Sequence, residues 1–370
     1  MRFSYKGDWS KRKLNEICQF FKGNGLSKSD LSNEGFPCIL YGELYTTYKN
    51  EVISDIISKT NTTLANPFLS RNNDLIIPGS GEDPIDIAVA RAIYQNDIIL
   101  GGDLNILRPK SNVSAAFLSY QLNGVRRYDI AKKAQGKSIV HLQNSDLKEV
   151  LVSIPTYDEQ LHIVELLTKI DEMMDAQIKI IDDYNSLKIG IYNWMFKENY
   201  ADYKLKQLAY IVKGDQINND QLLSNGSYYM MNGGTSPSGY LDSYNVSENT
   251  ISISEGGNSC GYVQFNSSPF WSGGHCYTIQ NVNSALIDNK YLYHYLKHKE
   301  KEIMNLRIGT GLPNIQKRDL ENFTILAPNL SIQRKNLALF EMLDEKISVL
   351  NEELTILEKQ KKYLLCNMFI

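Results

Sequence analysis

The sequence predicts a mixed α/β fold: two globular domains in tandem repeat, each followed by a long helix, the two helices forming an antiparallel coiled coil with pseudo-two-fold symmetry. Three observations predict it. The chain repeats itself at an offset of about 173 residues, each repeat ends in a heptad stripe, and each globular part mixes short β-type runs with glycine-rich turns. At 370 residues the chain is too long for one compact core.

The repeat is visible by eye. Gly136-Lys-Ser-Ile-Val-His-Leu-Gln-Asn-Ser-Asp-Leu147 aligns with Gly309-Thr-Gly-Leu-Pro-Asn-Ile-Gln-Lys-Arg-Asp-Leu320, an offset of 173 that also carries Pro155 to Pro328, Gln160 to Gln333 and Met195-Phe196 to Met368-Phe369. Upstream, Gly101-Gly102 matches Gly273-Gly274, and Leu14 with Lys22-Gly23 matches Leu205 with Lys213-Gly214. The offset drifts in one place. The first copy spends residues 24–73 where the second spends only 215–249, so the copies share a frame and differ in one internal region. The expected boundaries are 1–155 and 198–328 for the domains, 156–197 and 329–370 for the helices.

Within the first domain Asp74-Leu-Ile-Ile-Pro reads as a strand leading to the Gly79-Ser-Gly81 turn. Thr250-Ile-Ser-Ile-Ser with Gly256-Gly-Asn-Ser259 is its counterpart. Phe117-Leu-Ser-Tyr-Gln-Leu and Tyr291-Leu-Tyr-His-Tyr-Leu read as helices preceding the Gly136 and Gly309 loops.

From Asp158 to Phe196 there is no proline, and the seam Leu167, Ile170, Met174, Gln177, Ile181, Tyr184, Lys188, Ile191, Met195 steps by three and four. Adding 173 gives Phe340, Leu343, Ile347, Leu350, Leu354, Leu357, Lys361, Leu364, Met368. Each stripe could lie on a surface helix, but at about 1.5 Å per residue a helix of this length spans about 58 Å, too long to hide its stripe on a small domain. The first helix delivers the chain to the second domain and the second starts from it, so packing side by side requires an antiparallel pair.

Charge excludes an overtly basic protein: 39 Lys and Arg stand against 42 Asp and Glu, a net −3. By segment, 1–155 holds 19 basic and 16 acidic residues, 156–200 holds 4 and 9, 201–328 holds 10 and 11, and 329–370 holds 6 and 6. Arg126, Arg127, Lys132, Lys133 and Lys137 cluster in the first domain, while Lys297, His298, Lys299, Lys301, Arg307, Lys317 and Arg318 occupy the corresponding stretch of the second. Such clusters are either solvated surface or phosphate contacts. In the divergent region, Tyr41-Gly-Glu-Leu-Tyr-Thr-Thr-Tyr48 and Tyr228 to Tyr240, with Asn232-Gly-Gly-Thr235, offer hydrogen-bonding tips on backbones that approach a ligand closely. Ordinary turns with packed tyrosines would read the same way.

Catalytic patterns are weak. Ala131-Lys-Lys-Ala-Gln-Gly-Lys-Ser138 fits a relaxed phosphate-loop pattern, but Arg126-Arg-Tyr-Asp-Ile130 before it is no buried strand, and the second copy lacks Gly-Lys-Ser. His294 and His298 lack the intervening glutamate of a zinc protease helix and read as polar residues on an exposed face. His275-Cys276 has Asp103-Leu104 as its counterpart and reads as packing. The cysteines 18, 38, 260, 276 and 366 form no CxxC pair, and no apolar run suits export or membrane insertion, so a reducing cytoplasm, no membrane and no metal are expected.

This order of parts, with Gly309-Thr-Gly-Leu-Pro-Asn-Ile-Gln-Lys-Arg-Asp-Leu320 leading to Ala327-Pro-Asn-Leu-Ser-Ile-Gln333, resembles the specificity subunit of type I restriction–modification systems over essentially the whole chain. The Tyr228–Tyr240 segment resembles the family's Asn-Gly-Gly loop and Tyr41-Gly-Glu-Leu its first-domain counterpart. The first-copy loop departs from the pattern, with Lys137-Ser138 and Val140 where the second has Thr310-Gly311 and Pro313. The resemblance implies a non-catalytic DNA-reading scaffold: each domain a target recognition domain for half of a split double-stranded DNA site, the helix pair a spacer and dock for two methyltransferase subunits. Two motor and nuclease subunits would complete the restriction complex. S-adenosylmethionine, ATP and magnesium would sit on those partners, none in this chain. The contact residues expected are Tyr41, Glu43, Tyr45, Thr46, Arg126, Lys132, Lys133 and Lys137 in the first domain, and Asn232, Gly233, Gly234, Thr235, Tyr240, Arg307, Thr310 and Lys317 in the second. The rival is a coiled-coil adaptor that binds no DNA, which the weak net charge would suit.

Overall fold

Leu75, Ile76 and Ile77 are wholly buried in the middle strand of the first sheet, as a continuous apolar run bounded by turn residues requires. The computed structural model describes residues 9–196, 200–309, 311 and 313–369. The chain divides into two units, Met1–Lys179 with Glu352–Ile370, and Ile180–Asn351.

In the first unit the main sheet has five strands in the order Cys18–Lys22, Leu104–Pro109, Asp74–Pro78, Arg91–Ile93, Val52–Ile53. Its pairings are antiparallel except the last, which is parallel. A smaller sheet orders Ile99–Leu100, Phe36–Ile39, Ser58–Thr60 and Leu31–Ser32. Against the main sheet lies helix Ala115–Asn123, started by Ser114, whose hydroxyl accepts the Phe117 N–H at 3.3 Å. Every residue from Ala115 to Leu122 is buried, as expected of a helix enclosed on all sides.

The second unit repeats this frame with fewer strands. Its main sheet runs Tyr210–Lys213, Cys276–Gln280, Thr250–Ser254, Val263–Asn266, all antiparallel, and its smaller sheet orders Gly239–Leu241, Tyr228–Met231 and Trp271–Ser272. Helix Asn289–His298 takes the place of Ala115–Asn123. The longer region of the first copy is spent on Val52–Ile53 and Leu31–Ser32, each an additional edge strand among the described residues.

The matched motifs have physical causes. Gly23 and Gly214 sit where two backbones meet: a Cβ would lie 2.0 Å from the Gly101 carbonyl oxygen in one unit and 2.3 Å from that of Gly273 in the other. Gln160 and Gln333 are fully buried brackets. Gln160 accepts the Ser114 N–H at 2.9 Å and donates to the carbonyls of Asn112 and Pro155 at 3.1 and 3.2 Å. Gln333 accepts the Asp288 N–H at 2.8 Å and donates to Leu286 and Pro328 at 2.9 and 2.7 Å. Each thereby fastens the start of a long helix to the start of its domain's core helix.

The long helices are Tyr157–Met195 and Leu330–Asn367. In the first unit Asp171 pairs with Lys361 and Gln177 with Glu353, at 2.6 and 2.9 Å. In the second, Lys188 pairs with Asp344, and the Tyr192 and Phe340 rings lie 4.3 Å apart. In both, rising numbers on one helix meet falling numbers on the other, so the two run antiparallel. All the expected seam positions, from Leu167, Ile170 and Met174 through Ile181, Tyr184 and Ile191 on the first helix to Phe340, Leu343, Ile347, Leu354, Leu357 and Leu364 on the second, are buried or half-buried. No described helix is long and apolar enough to cross a membrane.

Candidate nucleic-acid interface

In each unit the central strand ends in a glycine-containing turn, onto which a second loop folds back. In the first unit the Gly79 N–H donates to the Asp103 carbonyl at 2.5 Å, Leu142 N–H donates to the Gly79 carbonyl at 2.9 Å, and Val140–His141 pairs with Ser80–Gly81. The second unit has the same joints: Glu255 N–H to the His275 carbonyl at 2.9 Å, Ile315 N–H to the Glu255 carbonyl at 2.8 Å, and a bridge between Gly256 and Asn314. The returning loops close on the bridges Gln135–His141 and Ile308–Asn314. Gly136 and Gly309 have φ of 141° and 104°, backbone that side chains resist, and a Cβ on Gly136 would meet the Ile139 carbonyl oxygen at 2.0 Å.

This geometry disposes of the phosphate-loop pattern. After Ser138 the chain enters the short strand Val140–His141, so no helix opens there to present N–H groups to a nucleotide. Lys137 stands exposed on the loop, and Lys132 on the preceding turn; neither forms an ion pair among the described residues. Lys133 is half-buried. Arg126 is partly committed, pairing with Asp129 at 3.2 Å.

Tyr41, Glu43 and Thr46 line a cleft of about 580 Å³ beside Lys28 and Asp103. Thr46 is exposed at its rim, and Tyr45 packs inward against two apolar clusters of the domain. Glu43, expected to face DNA, is turned inward: its carboxylate accepts the Leu40 N–H at 2.7 Å and the Ser58 hydroxyl. It staples the helical turn Glu43–Thr46 to a strand, because a carboxylate three residues after an open N–H satisfies that donor.

In the second unit Asn232 is likewise occupied, its Oδ1 accepting the His275 N–H at 3.0 Å. Gly233, at φ 82°, lets the loop turn against His275, and Ser254 Oγ donates to the Gly233 carbonyl at 2.6 Å. Gly234 follows half-buried, and Thr235 and Tyr240 are exposed. Arg307 and Lys317 are exposed near the returning loop, Lys317 within 3.8 Å of Glu321. Thr310 lies outside the described residues.

Sequence reasoning missed a charged cluster at the base of these loops. Glu255, 8% exposed, accepts Lys213 Nζ at 2.7 Å and the Tyr277 hydroxyl at 3.0 Å, with His275 Nδ1 at 3.8 Å. The His275-Cys276 pair, read as packing, splits: Cys276 is buried, which pushes its thiol up to about 11, while the His275 side chain is 61% exposed. The signal was the aligned Lys22-Gly and Lys213-Gly. Burial lowers the Lys22 ammonium below an ordinary lysine, with Asp103 opposing that shift. His294 and His298, read as exposed, instead stack among rings. His294 is 4% exposed, bonded through Nδ1 to the Tyr192 hydroxyl at 2.8 Å, and the His298 ring lies 5.0 Å from that of Tyr192. Among the described residues no cluster of His, Cys, Asp and Glu is built to hold a metal.

Comparison with known proteins agrees with this architecture. A Mycoplasma pneumoniae protein named as a type I specificity subunit is 35% identical over 127 residues, 34% of each chain, and a Mycoplasma genitalium counterpart is 32% identical over 127 residues, 34% of this chain and 33% of its own. The match thus spans about a third of those relatives' length. A protein of Methanocaldococcus jannaschii named as a type I restriction enzyme specificity subunit is 22% identical, covering 87% of this chain and 84% of its own. A crystal structure of a type I restriction-modification S subunit from M. genitalium shares the fold at a TM-score of 0.70 and 18% identity, covering 100% of this chain and 98% of that one. A chain from a structure of type I R-M complex assembly gives 0.61 at 15% identity, covering 99% and 100%. The family model for the type I restriction modification DNA specificity domain matches twice, at residues 6–182 and 197–359, and the chain belongs to that family.

Proposed function

We propose that the chain is the DNA sequence-specificity subunit of a type I restriction–modification complex. Each globular domain reads one half of a bipartite duplex target, and the helix pair sets the gap between the halves and docks methyltransferase subunits. The observation that carries this reading is the double family match laid over two domains with the same loop joints but different reading segments. Equal frames with unequal tips suit two modules that bind the same kind of polymer and read different sequences on it.

The chain's part is recognition. In this reading Lys132 and Lys137, both exposed, supply phosphate contacts, which position the duplex without reading it, and Tyr41, Thr46, Thr235 and Tyr240 read base edges. Glu43 and Asn232 hold those segments in shape. Methyl transfer, with S-adenosylmethionine, and ATP- and magnesium-dependent cleavage belong to partner subunits, two of each kind, in the cytoplasm.

Duplex binding by the complex with its methyltransferase tests the reading. Log affinity should fall steeply with log salt, and Lys137→Ala should weaken all duplexes alike and reduce the salt slope by about 1. Salt-independent binding, or none, would favour the adaptor.

A further inference from the structure

The first unit contains a cleft of about 430 Å³, lined by residues other than those of the Tyr41–Thr46 cleft, where the end of the second long helix faces the domain. That volume lies within the range of small-molecule sites, about 300–1,000 Å³. Its floor is Arg91, only 6% exposed. The guanidinium donates Nε to the Leu44 carbonyl at 3.1 Å and Nη2 to the Tyr48 carbonyl at 2.9 Å, and no carboxylate lies within ion-pair distance of it among the described residues. Arg127 lines one wall. It gives Nη2 to the Ile85 carbonyl at 3.1 Å, and its buried Nε has no partner. Lys49 and Lys362 stand at the mouth with Tyr128, which is 69% exposed.

The charges do not cancel. Lys361 is shared between Glu51 and Asp171, leaving that trio with one negative charge, and Glu358 adds another. Against these two stand four cations, Lys49, Arg91, Arg127 and Lys362. A buried guanidinium whose only partners are neutral carbonyls is costly unless an anion completes it.

The repeat shows that the frame does not demand this arrangement. Arg91 pairs with Ile76 as Gln264 pairs with Ser252, so the second unit has an amide at that place. The offset of 173 carries Arg127 to Glu300, whose carboxylate takes Lys297 Nζ at 2.5 Å and the Val263 N–H at 2.8 Å. The second unit closes its version internally, while among the described residues the first leaves both guanidiniums without a carboxylate and the Arg127 Nε without any partner.

We propose that this cleft of the first unit is a phosphate site that takes a nucleotide. The guanidinium forks match phosphate oxygens, the two lysines add charge without a fixed direction, and Tyr128 offers a ring on which a base can stack. The phosphate comes from a free nucleotide or from a nucleic-acid strand; the chemistry recognised is the same.

Calorimetric titration of the full chain with inorganic pyrophosphate tests the site without depending on DNA reading. Wild type takes up pyrophosphate. Arg127→Gln, and separately the surface change Lys362→Gln, weaken it by about tenfold or more, as loss of a charged hydrogen-bond partner does. Lys359→Gln, exposed on the same helix outside the cleft, leaves it unchanged. If duplex DNA displaces the pyrophosphate the source is a strand, and if AMP displaces it and DNA does not the source is a free nucleotide. Absence of uptake at millimolar pyrophosphate, or equal uptake by both cleft variants and wild type, overturns the proposal.

Discussion

Lys361 Nζ lies 2.6 Å from Asp171 Oδ1 in the first unit, and its counterpart at the offset of 173, Lys188, pairs with Asp344, the counterpart of Asp171, in the second. One ion pair between the long helices is thus written twice in the sequence. The copies differ in depth. Lys361 and Asp171 have side chains 12% and 5% exposed, Lys361 also pairs with Glu51 and the Tyr120 hydroxyl donates to Asp171 at 2.7 Å, whereas Lys188 and Asp344 are 20% and 40% exposed. Burial opposes the Lys361 charge, yet Glu51 and Asp171 together raise its pKa.

The difference in depth predicts unequal costs. Lys361→Met strands two buried carboxylates and should destabilise the first unit by about 3–5 kcal/mol, whereas Lys188→Met, whose partner reaches water, should cost within about 1 kcal/mol. Urea unfolding of the full chain, followed by a probe in each unit, checks both.

His294 should make the second unit acid-sensitive. Burial holds its imidazole down to about 4, against Asp344 and Glu341 and with Lys188 and Lys290. The folded state then binds fewer protons than the unfolded one between about pH 6.5 and 4, so stability falls as pH falls through that window, by up to about 3 kcal/mol. His294→Gln removes the titrating imidazole at the place where the first copy carries Tyr120, and should flatten the loss. A thermal-unfolding series from pH 7 to 4.5 that shows the same slope in both proteins would exclude this origin.

The buried brackets predict a third result. Gln333→Leu keeps the volume but orphans the Asp288 N–H and the carbonyls of Leu286 and Pro328, and should cost about 2–4 kcal/mol. Gln160→Leu should cost a similar amount in the first unit. Hydrogen exchange at the start of helix Asn289–His298 reports the first loss locally.

Much of this architecture was legible in the sequence because repetition exposes it. The seam from Leu167 to Met195 and its copy at 173 were readable since helix–helix packing imposes a fixed spacing whatever the partner. Gln160 and Gln333, Gly23 and Gly214 were visible as matches, although their work on the backbone was not. Partner choice stayed hidden. Asp171 and Asp344 sit one position past the seam residues Ile170 and Leu343, and only the rotation of the facing helix brings a lysine to them. Glu43 and Asn232 sat in polar segments that read as contact surface, yet their acceptors turn inward to N–H groups brought up by the fold. His294 looked polar by type, and its burial among Tyr192 and Phe340 depends on the long helices covering it.

Each domain should read its own half of a split target. This is tested most directly by replacing residues 24–73 with the equivalent segment of another family member, co-expressing the chimera with the methyltransferase, and mapping methylated positions across the genome. The expected result is a bipartite motif in which one half changes while the other half and the gap stay constant. A motif altered in both halves, or unchanged, would contradict it.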